Sequence, residues 1–450
     1  MVDANIKIIG ELKLFLDTVS KESSVRKLFT LREEDFIRNR KLPMAQLIGL
    51  IINMPKRSLS IEIQAFFDSL EKEDLSKGPC GQGCTKGAFS LQRTKLNPLF
   101  FAVWNRWLVN CFYEHYGTKV KRWRGFRLQA VDGSRAYLVN RKDVVDHFGT
   151  QSNQHVGVPM AQVMQVQDIL NDITVWGDIY PVRESEQTIM NSRVHHLYED
   201  SLTIFDRGYP SFTLMYLMIN EETPRHFVIR CKVGFNNEVK QFVKSRKSSK
   251  VIELRATSAA IATLRENGYI VTAATTIKIR LVKIKLPNGE VEILLTNLYD
   301  EKLFTLADLK QLYGMRWRIE TTYGKQKNQQ QMEQFSGHRV ICIQQDYGAG
   351  LFVANLQSLI EKQCEDYLQK VNATRKYDYK INRNISWAAL KYNIVKLFLD
   401  NNPKEILLQL QKLFERNIEP IRPGRQNPRV KKAKRLNGKY QTFTNYKRAI

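Results

Sequence analysis

A tyrosine, an arginine, a glutamate and a lysine stand in the segment YGMRWRIETTYGKQK (313–327) at spacings that stack them along one helical stripe. At about 100° per residue, Tyr313, Arg316, Glu320 and Lys327 fall within about 60° of one another around a helix axis. That face offers a carboxylate for a hard cation beside two groups that grip phosphate, a guanidinium suited to bidentate contact and an ammonium acting as a point charge. A solvated ion-pair stripe uses the same residue types, and Arg316 four residues before Glu320 fits it equally well. Two upstream aspartates separate these readings. Asp132 closes the apolar run of FRLQAVDGS, and Asp206 closes that of SLTIFDRGY. An apolar run ending in Asp-Gly or Asp-Arg-Gly predicts a buried strand whose last side chain emerges at the sheet edge before a turn. Taken singly, either aspartate suits a turn or a helix cap better. Together with Glu320 they make an all-oxygen ligand set.

Phosphodiester cleavage requires an in-line nucleophile, a stabilised leaving oxygen and neutralisation of the transition state, which two divalent ions about 4 Å apart provide together. Mg2+, or Mn2+ in its place, prefers carboxylate and water oxygens, so Asp132, Asp206 and Glu320 are the candidate ligands and catalytic residues. His195 and His196 lie in a polar helical stretch and read as surface or packing residues. Cys80 and Cys84 lack a second Cys or His pair at zinc spacing and read as free thiols. Gly348 and Gly350 have no phosphate-loop context, so no nucleotide cofactor is expected.

The order VDGS, DRGY and Y-x2-R-x3-E-x6-K resembles the signature of bacterial insertion-sequence transposases of the DDE superfamily, in the subgroup marked by that Tyr-Arg-Glu-Lys motif. All four motif positions match at the family spacing. The stretches TKGAFSLQRTKL (85–96) and TNYKRAI (444–450) also resemble members of the family, so the resemblance covers nearly the whole chain. It implies a protein that binds the terminal repeats of an element, frees a 3′-OH by metal-dependent attack of water, and joins that hydroxyl to target DNA. Asp132 would bridge two ions while Asp206 and Glu320 each hold one. The resemblance also implies that Tyr313, Arg316 and Lys327 grip phosphates near the cut, and that synapsis of two ends takes at least two protomers, expected as a homodimer on DNA. Trp317 suits stacking on an unpaired base. In relatives that release the element through a DNA hairpin, a tryptophan of the β insertion holds a flipped base. This insertion has no tryptophan, and Phe235, Phe242 and Tyr269 are the candidate substitutes. Two other readings share many of these features: an RNase H-like nuclease that cuts without joining, and a DNA-binding repressor or architectural protein without catalysis. A tyrosine-recombinase reading of Tyr313 is disfavoured, because that chemistry needs an Arg-rich pocket around the nucleophile.

The elements that must position these residues read as an α/β fold: an RNase H-like (retroviral-integrase-like) core with a β-rich insertion, flanked by an N-terminal helical domain and a C-terminal helical and basic tail. The expected divisions are 1–120, 121–233, 234–303, 304–370 and 371–450, the second and fourth forming the core. Helical spacing dominates LPMAQLIGLIINM and LFFAVWNRWLVNCFYEHY. Thr85 is a good N-cap for a helix carrying Lys86, Gln92, Arg93 and Lys95, the candidate groove-reading residues. From Phe126 short runs rich in Val, Ile and Leu predict three strands, a helix and a further strand, with Asp132 and Asp206 on adjacent strands. In the insertion, Asn288-Gly289 is a hairpin signal, and KSRKSSK (244–250) reads as a flexible basic loop. A long helix beginning near Leu306 should bear the motif.

The chain has 450 residues, 70 Lys plus Arg against 45 Asp plus Glu, and a net charge of +25. A polyanionic partner is the first inference, and double-stranded DNA is favoured over a membrane because no apolar run reaches spanning length. From Arg422 on there are ten Lys or Arg and no Asp or Glu, interleaved with Tyr440, Phe443 and Tyr446, which suits the DNA backbone. No secretory signal is read at the N-terminus, so a bacterial cytoplasmic location is expected.

Overall fold

The computed structural model describes residues 1–424 other than 39–40, 54–55, 73–82, 153–156, 221, 287–288 and 400–401. Cys80, Asn288, the TNYKRAI segment and nearly all of the basic tail therefore lie outside the described residues. The chain forms two compact units, each assembled from separated stretches. The first comprises Met1–Gly117, Ala136–Met160 and Gln326 onward; the second comprises Thr118–Arg135 and Ala161–Lys325. Among the described residues no helix is long and apolar enough to cross a membrane.

The first unit is mainly helical. Apolar residues at three and four residue spacing bury one side of the helices Val2–Lys21, Leu99–Tyr116 and Pro403–Arg416, whereas Val340–Lys362 is buried all round in its second half. Trp104 is fully buried, stacks on Phe352 at 3.9 Å and donates its indole N–H to Leu12 O at 3.2 Å. Gly348 has a packing reason: a Cβ there would stand 2.9 Å from Phe101 Cβ, so its absence lets two helices approach. The expected core helix within Leu42–Met54 is Met44–Ile52. Thr85 caps Lys86–Arg93 as expected, its hydroxyl accepting from Ala88 N–H at 3.1 Å.

The second unit carries the sheet. Its strands are β1 (Arg127–Tyr137), β3 (Gly157–Asp168), β4 (Ile173–Pro181), β5 (Ser201–Phe205), β6 (His226–Cys231), β7 (Ser249–Arg255), β8 (Thr276–Lys285) and β9 (Val291–Thr296). A short β2 (Thr150–Ser152) pairs with the first residues of β3, within the first unit. From β4 the order runs β3, β1, β5, β6, β9, β8, β7. Strand β5 lies parallel to both β1 and β6, and all five of its residues are buried, as a strand covered on two faces requires. One face packs its Val131, Phe205, Phe227 and Ile229 against Leu214, Met215 and Met218 of the helix Phe212–Asn220.

Three local expectations are corrected here. Strand β1 does not stop at Asp132: it continues through Gly133 to Tyr137. A Cβ on Gly133 would stand 2.2 Å from Glu186 Oε1 and 2.6 Å from Gln162 Nε2, so this glycine serves a close approach by side chains, not a turn. The loop expected over KSRKSSK is narrower than seven residues: Lys244 ends the helix Asn237–Lys244 and Ser249 and Lys250 begin β7, leaving 245–248 between the two elements. The strands of the β-rich insertion continue the sheet, because β9 pairs antiparallel with β6. Finally, the motif straddles two helices, Leu306–Gly314 and Trp317–Asn328. Between them Arg316 N–H, Arg318 N–H and Ile319 N–H each reach a carbonyl three residues back at 3.0–3.1 Å, the tighter spacing of a 3-10 turn.

Candidate active site

Asp206 comes directly after the last residue of β5 and opens a turn closed by Tyr209 N–H to Asp206 O at 3.1 Å. The parallel register aligns Ala130 with Ile204; carried two residues further, it sets Asp132 level with Asp206. The tightened turn between the two motif helices brings the remaining groups to these aspartates. Arg316 Nη2 donates to Glu320 Oε1 at 2.6 Å, and its Nη1 lies 3.9 Å from Asp132 Oδ2. Tyr313 Oη donates to Asp206 Oδ1 at 3.4 Å. Tyr323 Oη, one turn beyond Glu320, donates to the Asp132 carbonyl at 2.8 Å. All these residues belong to the second unit.

Burial pushes the Asp132 carboxyl up to about 7; the Arg316 guanidinium opposes that rise, and the Glu186 and Glu320 carboxylates add to it. Burial alone would lower the Arg316 guanidinium, but the Glu320 hydrogen bond and the nearby Tyr313, Asp206 and Asp132 hold it above its ordinary value. Desolvation, then the Asp206 charge, raises the Tyr313 phenol well above the usual tyrosine range. The site therefore gathers more negative charge than one guanidinium offsets. Hard oxygen donors with a deficit of positive charge suit divalent Mg2+ or Mn2+ chemically. As they stand, no group of three His, Cys, Asp or Glu among the described residues is drawn together closely enough to hold a metal. Arg316 instead links the first and third acids. Its buried Nε has no hydrogen-bond partner.

Trp317 is 64% exposed, with the Arg316 guanidinium 5.7 Å from its ring centroid. Lys327 lies in the first unit, its ammonium 3.8 Å from Glu333 Oε1. Lys86, at the start of the Lys86–Arg93 helix, is exposed, and Lys95, two residues beyond its end, donates to Gln92 Oε1 at 2.9 Å. Gln92 and Arg93 do not present themselves as groove readers. Gln92 is buried and donates to Leu42 O at 3.2 Å. Arg93 is 1% exposed, pairs with Asp346 at 2.6 Å and donates to Gln345 and to Cys342 O. A guanidinium so fully engaged has no donor fork to offer a base. Of the candidate base-holding aromatics, Phe242 is buried in the core, whereas Phe235 and Tyr269 line a cavity of about 920 Å³. Cys84, Cys111, Cys231, Cys342 and Cys364 are free thiols.

Three residues at this site carried no functional expectation. Tyr323 was detectable, since it lies three residues after Glu320 and seven after Arg316, on the same helical face. Glu186 and Tyr209 were not, because their meeting depends on the sheet. Tyr209 Oη donates to Glu186 Oε2 at 2.8 Å, and Gln162 Nε2 donates to Glu186 Oε1 at 3.2 Å.

No protein-family model matches the chain. It is similar to transposase InsG for insertion sequence element IS4 of Escherichia coli (strain K12), at 24% identity over 219 residues, 48% of this chain and 48% of that protein. It is also similar to putative transposase InsZ of the same organism, at 21% identity over 110 residues, 24% of this chain and 37% of that protein. The matches thus span about half the length of the first relative and about a third of the second. A solved cryo-EM structure of the piggyBac transposase synaptic complex with hairpin DNA covers 95% of this chain and 86% of its own, at 10% identity and a TM-score of 0.42, too loose a likeness to define the fold. Over about half its length, then, the chain is similar to a bacterial insertion-sequence transposase.

Proposed function

We propose that this protein is a DDE transposase that binds the ends of an insertion sequence, cleaves DNA there and joins the freed end to target DNA. What supports the reading most is the chain of contacts that links three acids, although as they stand they are too far apart to share an ion: Arg316 spans Asp132 and Glu320, and Tyr313 reaches Asp206. The order of parallel β1, β5 and β6 with covering helices supports an RNase H-like core. The similarity to transposase InsG supports the class of reaction. The net charge of +25 supports a polyanionic partner, and a cytoplasmic bacterial protein acting as a dimer on DNA belongs to the same reading.

Asp132, Asp206 and Glu320 would hold the divalent ions, which when bound supply an activated nucleophilic oxygen and stabilise the leaving one. The chain's own residues supply the rest. Arg316, with Nε unused and Nη2 on Glu320, exchanges that carboxylate for a phosphate of the DNA end and so leaves Glu320 free as a ligand. Tyr313 holds the Asp206 carboxylate in orientation from one side, and Tyr323 fixes the β1 backbone at Asp132 from the other. Trp317, exposed beside Arg316, stacks on an unpaired base. Lys327 and Lys86 contribute phosphate contacts. Glu320→Ala tests the reading: it should abolish end cleavage while end binding, measured by gel shift, stays near wild type. Loss of both together would sink the role given to Glu320.

A further inference from the structure

The helix Glu186–Asn191 touches both aspartate-bearing segments, although none of its residues belongs to the three-acid set. Glu186 Oε2 accepts from Tyr209 Oη, three residues after Asp206, and Glu186 Oε1 accepts from Gln162 Nε2, on the strand beside β1. The next residue, Gln187, donates its amide to Tyr209 O at 3.2 Å and to Pro210 O at 3.4 Å, so the turn after Asp206 is held twice. At Asp132 the contact is steric. The Glu186 carboxylate lies where a Cβ of Gly133 would be, which sets how closely this helix approaches β1. A glutamate in the first turn of a helix is favourable for its charge alone. Here, however, both oxygens are taken by side chains from other elements, one of them the fully buried Tyr209.

We propose that Glu186 is a positioning residue that fixes the spacing of the Asp132 strand and the Asp206 turn through its hydrogen bonds with Tyr209 and Gln162. This rests on the metal-dependent reading above and deepens it. The engagement of each oxygen by a neutral donor from another element assigns Glu186 to holding the site. A hydrogen-bonded support one step removed from a ligand changes metal affinity or activity by roughly 10- to 100-fold when lost. Glutamine keeps a carbonyl oxygen that accepts from Tyr209, and its new NH2 can donate to Gln162 once the Gln162 amide turns over, so the positioning role survives Glu186→Gln but not Glu186→Ala.

The test uses the full chain and four variants, Glu186→Ala, Glu186→Gln, Tyr209→Phe and Asp132→Ala. Mn2+ affinity is measured by titration calorimetry, and the kcat and KM for nicking of end DNA are measured alongside. Glu186→Ala and Tyr209→Phe should weaken Mn2+ binding and lower kcat by roughly 10- to 100-fold with KM for DNA unchanged. Glu186→Gln should restore both. A Glu186→Gln variant as damaged as Glu186→Ala would mean that the charge acts directly and would overturn the proposal. So would Mn2+ affinities of wild-type strength in Glu186→Ala and Tyr209→Phe. If Glu186→Ala fails to fold, Tyr209→Phe and Glu186→Gln still decide. Wild-type protein that binds Mn2+ no better than Asp132→Ala would instead refute the metal-dependent function, and the positioning role with it.

Discussion

Replacing Asp132 by asparagine should stabilise the metal-free protein, with a pH dependence set by the site. Burial raises the Asp132 carboxyl from the ordinary 3.8 to about 7. Between those values the folded state binds the proton and the unfolded chain has released it. The group's contribution to stability is therefore fully present below about 3.8, falls as pH rises through the window, and is lost above about 7. At 1.36 kcal/mol per pH interval of one, the window corresponds to about 4 kcal/mol, an upper bound because the side chain keeps 19% exposure to water. Asparagine keeps the shape and cannot ionise. Denaturant unfolding in EDTA at pH 8 should show Asp132→Asn more stable than wild type by about 2–4 kcal/mol, with the gap closing towards pH 4. Mg2+ should then stabilise wild type and not the variant, by about 2.7 kcal/mol at a hundredfold excess over its dissociation constant. An Asp132→Asn variant less stable than wild type at pH 8 in EDTA would refute the reasoning, because the carboxylate would then be satisfied without a metal.

Other substitutions separate structural from functional roles. Arg93→Ala should destabilise the first unit by roughly 3–5 kcal/mol, because it strands Asp346 from a buried ion pair; thermal unfolding checks this. Lys86→Ala, at an exposed position, should leave stability within about 0.5 kcal/mol and weaken DNA binding, lowering the salt slope by about 1 in binding isotherms. Trp317→Ala should likewise leave stability within about 0.5 kcal/mol yet lose about 1–3 kcal/mol of affinity for an end carrying an unpaired base, read by fluorescence anisotropy. Gly133→Ala should reproduce the Glu186→Ala defect in nicking, because the new methyl group displaces the Glu186 carboxylate.

The most legible part of the site was the part written in short-range spacing. The stripe Tyr313, Arg316, Glu320 survives as a cluster even though its helix breaks, because the 3-10 turn at Met315 and Arg316 keeps helical backbone while tightening the path. The Asp206 turn was legible for the same reason: it depends only on the few residues that succeed a buried strand. Asp132 was legible as a residue but not in its surroundings. Gly133 signals a turn in a single sequence, and only the crossing of Glu186 and Gln162 shows that the missing side chain serves an approach. Glu186, Gln162 and Tyr209 come from three separate elements, so no local pattern could announce their meeting. The helix at Lys86–Arg93 illustrates the reverse. Its start was readable from Thr85, yet basic residue type alone did not reveal that Arg93 turns inward to Asp346 while Lys86 stays in water.

The central claim is that Asp132, Asp206 and Glu320 cut and join DNA. Its most direct test incubates purified protein with labelled DNA bearing the ends that flank its gene, plus a target plasmid and Mg2+, beside EDTA and Asp132→Ala controls. The account predicts metal-dependent nicking at the end and then joining to the plasmid, both absent in the two controls. Binding of the ends without cleavage under either Mg2+ or Mn2+ would contradict it.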